Sequence, residues 1–323
     1  MTDRKRILSG IQPTGKLHLG NYFGAIRQYV ALQDQGECFF FIADYHSMTS
    51  VDDPALRRQL VRDVALDYLA LGLDPAKATL FKQSDVPEVT ELTWMLACVT
   101  NVGLLERAHS YKDKIDKGLE ANAGLFTYPV LMAADIIIYR SHLVPVGDDQ
   151  VQHLEMTRDM AGRFNRTYGD IFPLPQPYLV KSGAKVPGID GQKMSKSYNN
   201  TIEIFAEGKA LKKVVMSIVT DSTPVEAPKH PDRCSVFALY SLFATDEEKA
   251  ALAERYLAGG LGYGDVKKML LDKIDTYFAP ARERRKQLAA DPMAVDEVLA
   301  AGAARARAEA QATMRLVRDA AGF

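Results

Sequence analysis

The stretch RILSGIQPTGKLHLGNYFGAIRQY, Arg6–Tyr29, decides the fold. An apolar run ends at Gly10, a polar turn with Pro13 and Gly15 follows, and a segment with helical spacing opens at His18–Asn21. This order predicts a strand, a tight loop and a helix, the first crossover of an open parallel sheet. The loop would lie at the carboxyl end of the strand, where helix N–H groups favour an anion. Its glycine spacing fits neither the GxGxxG dinucleotide motif nor the GxxxxGKS/T phosphate loop.

Strands and helices alternate after this stretch. Asp53-Pro54 is typical of a helix start, and the run CFFFIA is apolar on both faces, as expected of a central parallel strand. Further strands are predicted at Cys38–Ala43, Thr79–Lys82 and Leu143–Val146, with a short one near Leu179. The sequence therefore predicts an α/β fold with a doubly wound, Rossmann-like parallel sheet.

The periodicity also predicts two domains. Helical spacing replaces the alternation at about residues 88–140, which indicates a helical insertion within a catalytic domain of residues 1–205. Beyond about residue 205 the pattern is helical to the end, so residues 206–323 are predicted to form a second, α-helical domain.

Composition limits the class of protein. The chain has 323 residues, of which 47% are hydrophobic and 25% charged, enough for one large core and a smaller one. A net charge of -1 does not exclude nucleic-acid binding, which needs only a local basic face. Cys38, Cys98 and Cys234 lie far apart without a CxxC pair, which favours a reducing compartment and no metal site. The charged N-terminus and the lack of an apolar run of about 20 residues predict a soluble, cytoplasmic protein that does not span a membrane.

A second loop carries chemistry. The segment VPGIDGQKMSKSYNN, Val186–Asn200, contains proline and glycines and has no apolar period, which predicts an exposed, mobile loop. Its lysines offer ammonium groups and its serines offer hydroxyl donors. Nucleotidyl transfer requires mainly that negative charge on the leaving pyrophosphate be stabilised. A neutral His18 or Asn21 at the helix start, together with Lys193 and Lys196 on a closing loop, would do so.

Each loop alone also fits a simpler interpretation. KMSKS could be a solvated lysine loop, and HLGN a helix start with a satisfied histidine. Their occurrence together in one α/β chain favours the functional interpretation.

These segments carry a resemblance to a known family. HLGN at His18–Asn21 stands where class I aminoacyl-tRNA synthetases have their HIGH signature, and Lys193–Ser197 match their KMSKS signature. Within that class the chain most closely resembles the bacterial tryptophanyl-tRNA synthetases, through SGIQPTGKLHLGNY, LMAADIIIY and VPVGDDQVQHLEMTRDMAGRFN. The resemblance covers essentially the whole chain and is weakest after about residue 205.

The resemblance implies an ATP site. It assigns catalytic roles to His18, Asn21, Lys193, Ser195 and Lys196. Its ATP-binding residues are Gln12, Pro13, Thr14, Gly20, Asn21, Gly147, Asp148, Asp149, Val186, Lys193, Met194, Ser195, Lys196 and Ser197. Mg²⁺ is expected on the triphosphate, held by phosphates and water without a protein ligand. Lys114 either approaches the phosphates or belongs to a solvated face.

The resemblance also implies a tryptophan pocket, formed by Leu8, His46, Met132, Asp135, Val146 and Gln150. An indole N–H only donates, so the Asp135 carboxylate would favour tryptophan and leave phenylalanine with an unpaired buried acceptor. Met132 would give a polarizable contact to the ring. The alternatives are an ordinary surface acid for Asp135 and a satisfied core histidine for His46. Two alanines and three isoleucines flank Asp135, which favours a buried position for this carboxyl.

The sequence departs from the family pattern in the second loop and in the pocket. Tyr198 follows KMSKS where many relatives carry Asp, the PGIDGQ segment is short, and Leu8 stands where an aromatic residue can pack on the substrate. These departures affect the shape of the pocket and the motion of the loop.

The implied reaction forms tryptophanyl-adenylate from tryptophan and ATP and then charges tRNA(Trp). The resemblance implies a homodimer with its two-fold contact around residues 89–138, and anticodon binding by residues 206–323. The basic residues expected there are Lys209, Lys212, Lys213, Lys267, Lys268, Arg282, Arg284, Arg285 and Lys286. Charge on helices is more often simple solvation, so this interpretation depends on the family.

Three alternatives remain at this point. A tyrosyl-tRNA synthetase shares both signatures but would present a hydroxyl partner where this chain has LMAAD. A pantoate-activating nucleotidyltransferase would share the first loop without an arginine-rich helical half. An inactive, RNA-binding relative would keep the fold but have decayed loops, whereas both loops are intact here.

Overall fold

The computed structural model describes residues 4–116, 121–147, 150–179 and 186–323. The chain divides into two compact units. We call one the sheet unit, which comprises Met1–Gly15, Tyr29–Val180 and Leu288–Phe323. The other, the helical unit, comprises Lys16–Gln28 and Lys181–Gln287.

The sheet unit contains a parallel five-stranded sheet. Its strands are β1 (Arg6–Ile11), β2 (Glu37–Ile42), β3 (Ala78–Lys82), β4 (Leu143–Val146) and β5 (Gln176–Leu179). The strand order is β3-β2-β1-β4-β5, with Ile7 of β1 paired to Leu143 of β4. The chain winds outward in both directions from β1, so the sheet is doubly wound as predicted. The direction of winding reverses between β1 and β4, which is where open α/β sheets bind ligands.

Helices account for most of the remaining chain. They are α1 (Leu19–Asn21), α2 (Arg27–Leu32), α3 (Asp44–Ser47), α4 (Pro54–Ala70), α5 (Glu88–Val99), α6 (Val102–Leu105), α7 (His109–Asp116), α8 (Ala123–Ile137), α9 (Val151–Tyr168), α10 (Gly208–Met216), α11 (Ser235–Ser241), α12 (Asp246–Ala258), α13 (Tyr263–Ala290) and α14 (Pro292–Ala321). A π-helical turn, Tyr22–Ile26, joins α1 to α2. Short 3-10 turns lie at Gln83–Asp85, Lys196–Tyr198 and Pro231–Arg233. No helix in these described ranges is long and apolar enough to cross a membrane.

Local caps explain where the helices begin. The Asp53 carboxylate accepts from the Ala55 N–H ahead of Pro54, which matches the predicted start of α4. The Asn122 side chain accepts from the Leu125 N–H, so α8 begins at Ala123, earlier than the apolar pattern alone indicates. The predicted helical insertion corresponds to α5–α8.

The C-terminal helix α14 packs in the sheet unit. A Cβ atom on Gly302 would lie 1.8 Å from the Leu80 carbonyl oxygen, so only glycine allows α14 to approach β3 this closely. The Arg307 guanidinium donates to the Glu88 carboxylate at 2.9 Å. Because Leu288–Phe323 belong to the sheet unit, the division of the chain differs from the predicted boundary at residue 205. That boundary assumed that one run of helices forms one domain.

In the helical unit, aromatic side chains join the π-helical turn Tyr22–Ile26 to α13 and to Phe243, which follows α11. Tyr22 packs edge-to-face on Phe278, with 5.0 Å between the ring centroids, and Phe23 packs in the same way on Phe243. The Tyr22 and Tyr277 hydroxyls lie 2.9 Å apart. These contacts fix the π-helical turn that directly follows HLGN.

Candidate active site

A cavity of about 440 Å³ opens in the sheet unit at the carboxyl ends of β1 and β4. All six residues predicted to bind tryptophan line it, namely Leu8, His46, Met132, Asp135, Val146 and Gln150. Gln12 and Gly147, which were predicted to bind ATP, line the same cavity. Residues from four separate segments of the chain are thus brought together at the point where the sheet reverses its winding.

Asp135 is the buried carboxyl of this cavity, with 2% of its surface exposed. Its Oδ2 atom lies 2.8 Å from His46 Nε2, and its two oxygens each lie 2.9 Å from Gln83 Nε2. Burial raises the pKa of Asp135, against the hydrogen bonds from His46 and Gln83, which lower it. The burial expected from the flanking alanines and isoleucines is confirmed, and His46 is both a cavity residue and a satisfied buried histidine.

Gln83 was not predicted from the sequence as a site residue. Its Oε1 atom accepts from the Tyr45 N–H at 3.0 Å, while its amide nitrogen faces Asp135. Gln83 directly follows β3, at the same edge of the sheet as the ends of β1 and β2. A polar residue directly after the predicted strand Thr79–Lys82 was the available signal.

Tyr128 and His153 also line the cavity and were missed. The Tyr128 hydroxyl is hydrogen-bonded to His153 Nε2. Both side chains come from positions on α8 and α9 that a helical pattern alone assigns to packing, so the sequence held no separate signal for them.

In the helical unit, HLGN forms the start of α1. The His18 N–H donates to the Asn21 side-chain oxygen at 3.1 Å, which satisfies one free amide at the helix start. Burial, together with the positive charge of Lys196, lowers the pKa of His18 to about 4. His18 is therefore neutral near pH 7, in the state that the predicted charge-stabilising role requires.

The KMSKS loop lies against HLGN within this unit. The Gly20 N–H donates to Met194 Sδ at 3.4 Å, and the Leu19 N–H donates to the Ile202 carbonyl at 3.0 Å. Lys193, Lys196 and Ser197 are exposed and Ser195 is half-buried. The lysine and serine side chains of KMSKS thus extend from a loop that these contacts hold against HLGN.

The prediction that Val186–Asn200 is exposed throughout is wrong for Val186, Met194 and Asn200, which are buried. Asn200 Oδ1 accepts from the Ser195 N–H at 2.8 Å, and its Nδ2 donates to Asp190 at 2.8 Å. A Cβ on Gly188 would lie 2.3 Å from Asn200 Cγ. The buried Asn200 side chain orders this segment through hydrogen bonds, and hydrogen bonds leave no hydrophobic period in the sequence.

The other predicted ATP residues are placed as follows. Pro13 is buried, Gln12 and Thr14 are exposed, and Gly20 and Asn21 are half-buried. Asp148 and Asp149 lie outside the described residues, and so does the side chain of Lys114. In the part of the chain that is described, no group of three or more His, Cys, Asp or Glu side chains could hold a metal ion. The roles of all these residues stay predictions.

The doubly wound sheet with its switch-point cavity, joined in one chain to the HLGN and KMSKS signatures, defines a class I aminoacyl-tRNA synthetase. The chain belongs to the family described as tRNA synthetases class I (W and Y), which matches residues 1–279.

Individual relatives are similar over nearly their full length. The chain is 56% identical to the tryptophan–tRNA ligase of Rhodopirellula baltica, across 98% of this chain and 99% of that protein. It is 55% identical to the tryptophan–tRNA ligase of Fusobacterium nucleatum, across 99% of this chain and 98% of that protein. The structure of Campylobacter jejuni tryptophanyl-tRNA synthetase complexed with ADP and tryptophan superposes with a TM-score of 0.94 at 48% identity, covering 98% of this chain and 100% of that one. The predicted family is confirmed.

Proposed function

We propose that the chain is a tryptophan–tRNA ligase. It activates L-tryptophan with ATP to give tryptophanyl-adenylate and pyrophosphate, and then transfers tryptophan to tRNA(Trp). The observation that carries the proposal is the buried carboxyl of Asp135 in the switch-point cavity. Relatives named as tryptophan–tRNA ligases at 56% and 55% identity support it.

The cavity suits an indole ring. Among the described residues, two nitrogens donate to this carboxyl, His46 Nε2 and Gln83 Nε2. A carboxylate has about four acceptor positions, so Asp135 can accept an indole N–H as well. Leu8, Ile136 and Met132 line the cavity with apolar surface. Phenylalanine would bring no donor for the buried carboxylate, a large penalty in such a site.

The chemistry needs no protein nucleophile. A carboxylate oxygen of tryptophan attacks the α-phosphorus of ATP, the bond to the bridging oxygen breaks, and pyrophosphate leaves with that electron pair. The 2′-hydroxyl of the terminal adenosine then attacks the acyl carbon, loses its proton, and displaces AMP. The sheet unit supplies amino-acid recognition, and the helical unit supplies neutral His18 and the ammonium groups of Lys193 and Lys196 for the growing negative charge. Mg²⁺ would be held by the phosphates and water and would help to neutralise the charge of the leaving pyrophosphate.

Anticodon binding is proposed for the exposed part of the C-terminal half. Arg282 is excluded from this role because only 4% of it is exposed and it donates to Asp275 and to the Ile204 carbonyl. Arg285 lies over the Phe205 ring, with its Cζ 5.1 Å from the centroid, and Lys286 pairs with Glu207. The exposed basic side chains that remain available include Lys209, Lys212 and Lys213 of α10 and Arg284 of α13.

A homodimer through the helical insertion is part of the proposal. Trp94 of α5 is 71% exposed and Val102 of α6 is 60% exposed, which is unusual for large apolar side chains so close together in sequence.

The three cysteines carry free thiols, which suits the proposed cytoplasmic location.

Exchange of labelled pyrophosphate into ATP tests the proposal. The purified protein should catalyse exchange when tryptophan is added, and not with tyrosine or pantoate. Exchange with tyrosine alone would favour the tyrosyl alternative, and exchange with pantoate alone the small-molecule nucleotidyltransferase. No exchange with any of the three would favour a binding protein without catalysis.

A further inference from the structure

The orientation of the Gln83 amide is fixed by its backbone partners. Gln83 Oε1 lies 3.0 Å from the Tyr45 nitrogen and 3.4 Å from the His46 nitrogen. A backbone N–H can only donate, so the oxygen of the amide must face these two groups. The NH₂ end therefore points at Asp135, and Gln83 cannot flip without placing donor against donor.

This orientation determines what Asp135 must do. The Gln83 nitrogen lies 2.9 Å from each Asp135 oxygen, and both oxygens must act as acceptors toward it. An ionised carboxylate accepts such bonds better than a protonated one. His46 Nε2, 2.8 Å from Oδ2, then carries a proton and donates as well. The direction of donation thus runs from the start of α3 through Gln83 to Asp135.

We propose that Gln83 is a positioning residue that keeps Asp135 ionised and correctly oriented as an acceptor, and so sets the selectivity of the cavity for side chains that donate an N–H. This inference rests on the proposed function. Gln83 follows β3 and does not line the switch-point cavity, so it acts on the bound side chain through Asp135.

The charges around Asp135 show why such a residue is needed. Burial and the nearby Asp44 carboxylate both favour the protonated form of Asp135, while His46 and Gln83 favour the ionised form. The other titratable groups nearby are Tyr139, close to Asp135 along the same segment, and Tyr128 and His153 at the cavity. Among the groups named here, His46 is the one that can carry a positive charge while it is bonded to Asp135, and its Nε2 is bonded to Oδ2 alone.

Gln83→Glu is the decisive variant because glutamate has almost the same shape as glutamine. One Glu oxygen would still accept from the Tyr45 N–H, and the other would face Asp135. Two adjacent carboxyl groups share a proton at low pH and repel each other once both are ionised. With the shared proton in place, the Glu carboxyl donates to Asp135 as the Gln83 amide does. Once that proton is lost, the two carboxylates repel each other and Asp135 is displaced.

The measurement is the Michaelis constant for tryptophan in pyrophosphate exchange, from about pH 6 to about pH 9. The ratio of the Gln83→Glu value to that of the unmodified protein should be near one at the acid end and rise about tenfold to 100-fold at the alkaline end. The maximal rate should change much less. A residue that only fills space would give a ratio independent of pH.

Gln33→Glu is the matched control. Gln33 is another buried glutamine of the sheet unit whose amide accepts from the Asp74 N–H and donates to the Gly72 carbonyl. A carboxyl at this position does not face Asp135. The ratio of the Michaelis constant of Gln33→Glu to that of the unmodified protein should not change over the same pH range, even where the variant is less stable.

Gln83→Met covers the case in which Gln83→Glu does not fold, as judged by thermal unfolding. Methionine keeps the volume and cannot donate, so the Michaelis constant for tryptophan should rise at every pH and discrimination against phenylalanine should fall. If the unmodified protein shows tryptophan-dependent exchange while Gln83→Met keeps its Michaelis constant and its discrimination, the role of Gln83 is disproved. A flat Gln83→Glu ratio in a folded variant would overturn the role too. Absence of exchange in the unmodified protein overturns the proposed function instead.

Discussion

The backbone N–H of Gly20 donates to Met194 Sδ at 3.4 Å, so the HLGN and KMSKS signatures are in direct contact within the helical unit. A Cβ on Gly20 would lie 3.0 Å from the His18 ring, which leaves little room for any other residue. The Met194 side chain is buried, whereas Lys193 and Lys196 of the same loop are exposed. The methionine of KMSKS thus anchors the loop, while the lysines are presented to solvent.

The first prediction concerns Lys196. Lys196→Ala should reduce the maximal rate of tryptophan-dependent pyrophosphate exchange by about 100-fold to 1,000-fold, because a charge that stabilises the transition state is lost. The Michaelis constant for tryptophan should change less than about threefold. Steady-state exchange kinetics measure both values. Lys249→Ala on the exposed face of α12 is the control and should leave both unchanged. Equal losses in rate and affinity would contradict a role confined to the transition state.

The second prediction concerns Asp135. Asp135→Ala should lower the ratio of kcat/KM for tryptophan over phenylalanine by about 100-fold or more, because the buried acceptor that distinguishes the two side chains is removed. Pyrophosphate exchange with each amino acid measures this ratio. Asp170→Ala, at an exposed position after α9, should leave it unchanged. Unchanged discrimination in Asp135→Ala would remove this carboxyl from the recognition site.

The local sequence determines most elements of the sheet unit. Strand β2 is apolar at nearly every position and buried on both faces, so a short apolar run identifies it. Asp53-Pro54 marks a helix start by chemistry that depends only on neighbouring residues. The six residues predicted to bind tryptophan came from the family resemblance, and the fold brings them to one cavity because they lie on strands β1 and β4 or on the helical segments beside them.

Long-range contacts explain what the sequence analysis did not find. Gln83 acts through groups 38 and 52 positions away, Tyr45 and Asp135, and no local pattern records such a partnership. Asn200 orders its loop by hydrogen bonds that have no periodicity. The return of α14 to the sheet unit depends on one glycine against β3, which is indistinguishable in sequence from the other small residues of that helix.

The third prediction concerns this glycine. Gly302→Ala should lower the free energy of unfolding by about 2 kcal/mol or more, because a Cβ would lie 1.8 Å from the Leu80 carbonyl oxygen and backbone must move. Urea unfolding measures the change. Gly264→Ala near the start of α13 is the control, since nothing lies within 4 Å of its Cβ position. It should be neutral or stabilising by up to about 1 kcal/mol. Equal stability of the two variants would mean that α14 can shift away from β3 at no cost.

The fourth prediction concerns the dimer. Trp94→Lys should shift the protein toward monomer, because the charge would be buried in the proposed two-fold contact without a partner. Analytical ultracentrifugation across a concentration series measures the dissociation constant. Met293→Lys, at a side chain that is 72% exposed on α14, is the control and should leave association unchanged. A monomeric unmodified protein, or a dimer insensitive to Trp94→Lys, would place the contact elsewhere or exclude it.

The fifth prediction concerns His18 and pH. The folded state lowers the pKa of His18 from 6.5 to about 4, so it binds fewer protons than the unfolded chain in that interval. Stability from neutral His18 is therefore fully present above about pH 6.5 and is lost as the pH falls toward about 4. Urea unfolding at about pH 7.5 and about pH 5 should show a smaller loss of stability for His18→Gln than for the unmodified protein. His230→Gln, at an exposed position, should lose as much as the unmodified protein. If His18→Gln loses as much as His230→Gln, the buried histidine does not carry the pH dependence, and a neutral His18 at the start of α1 is no longer supported.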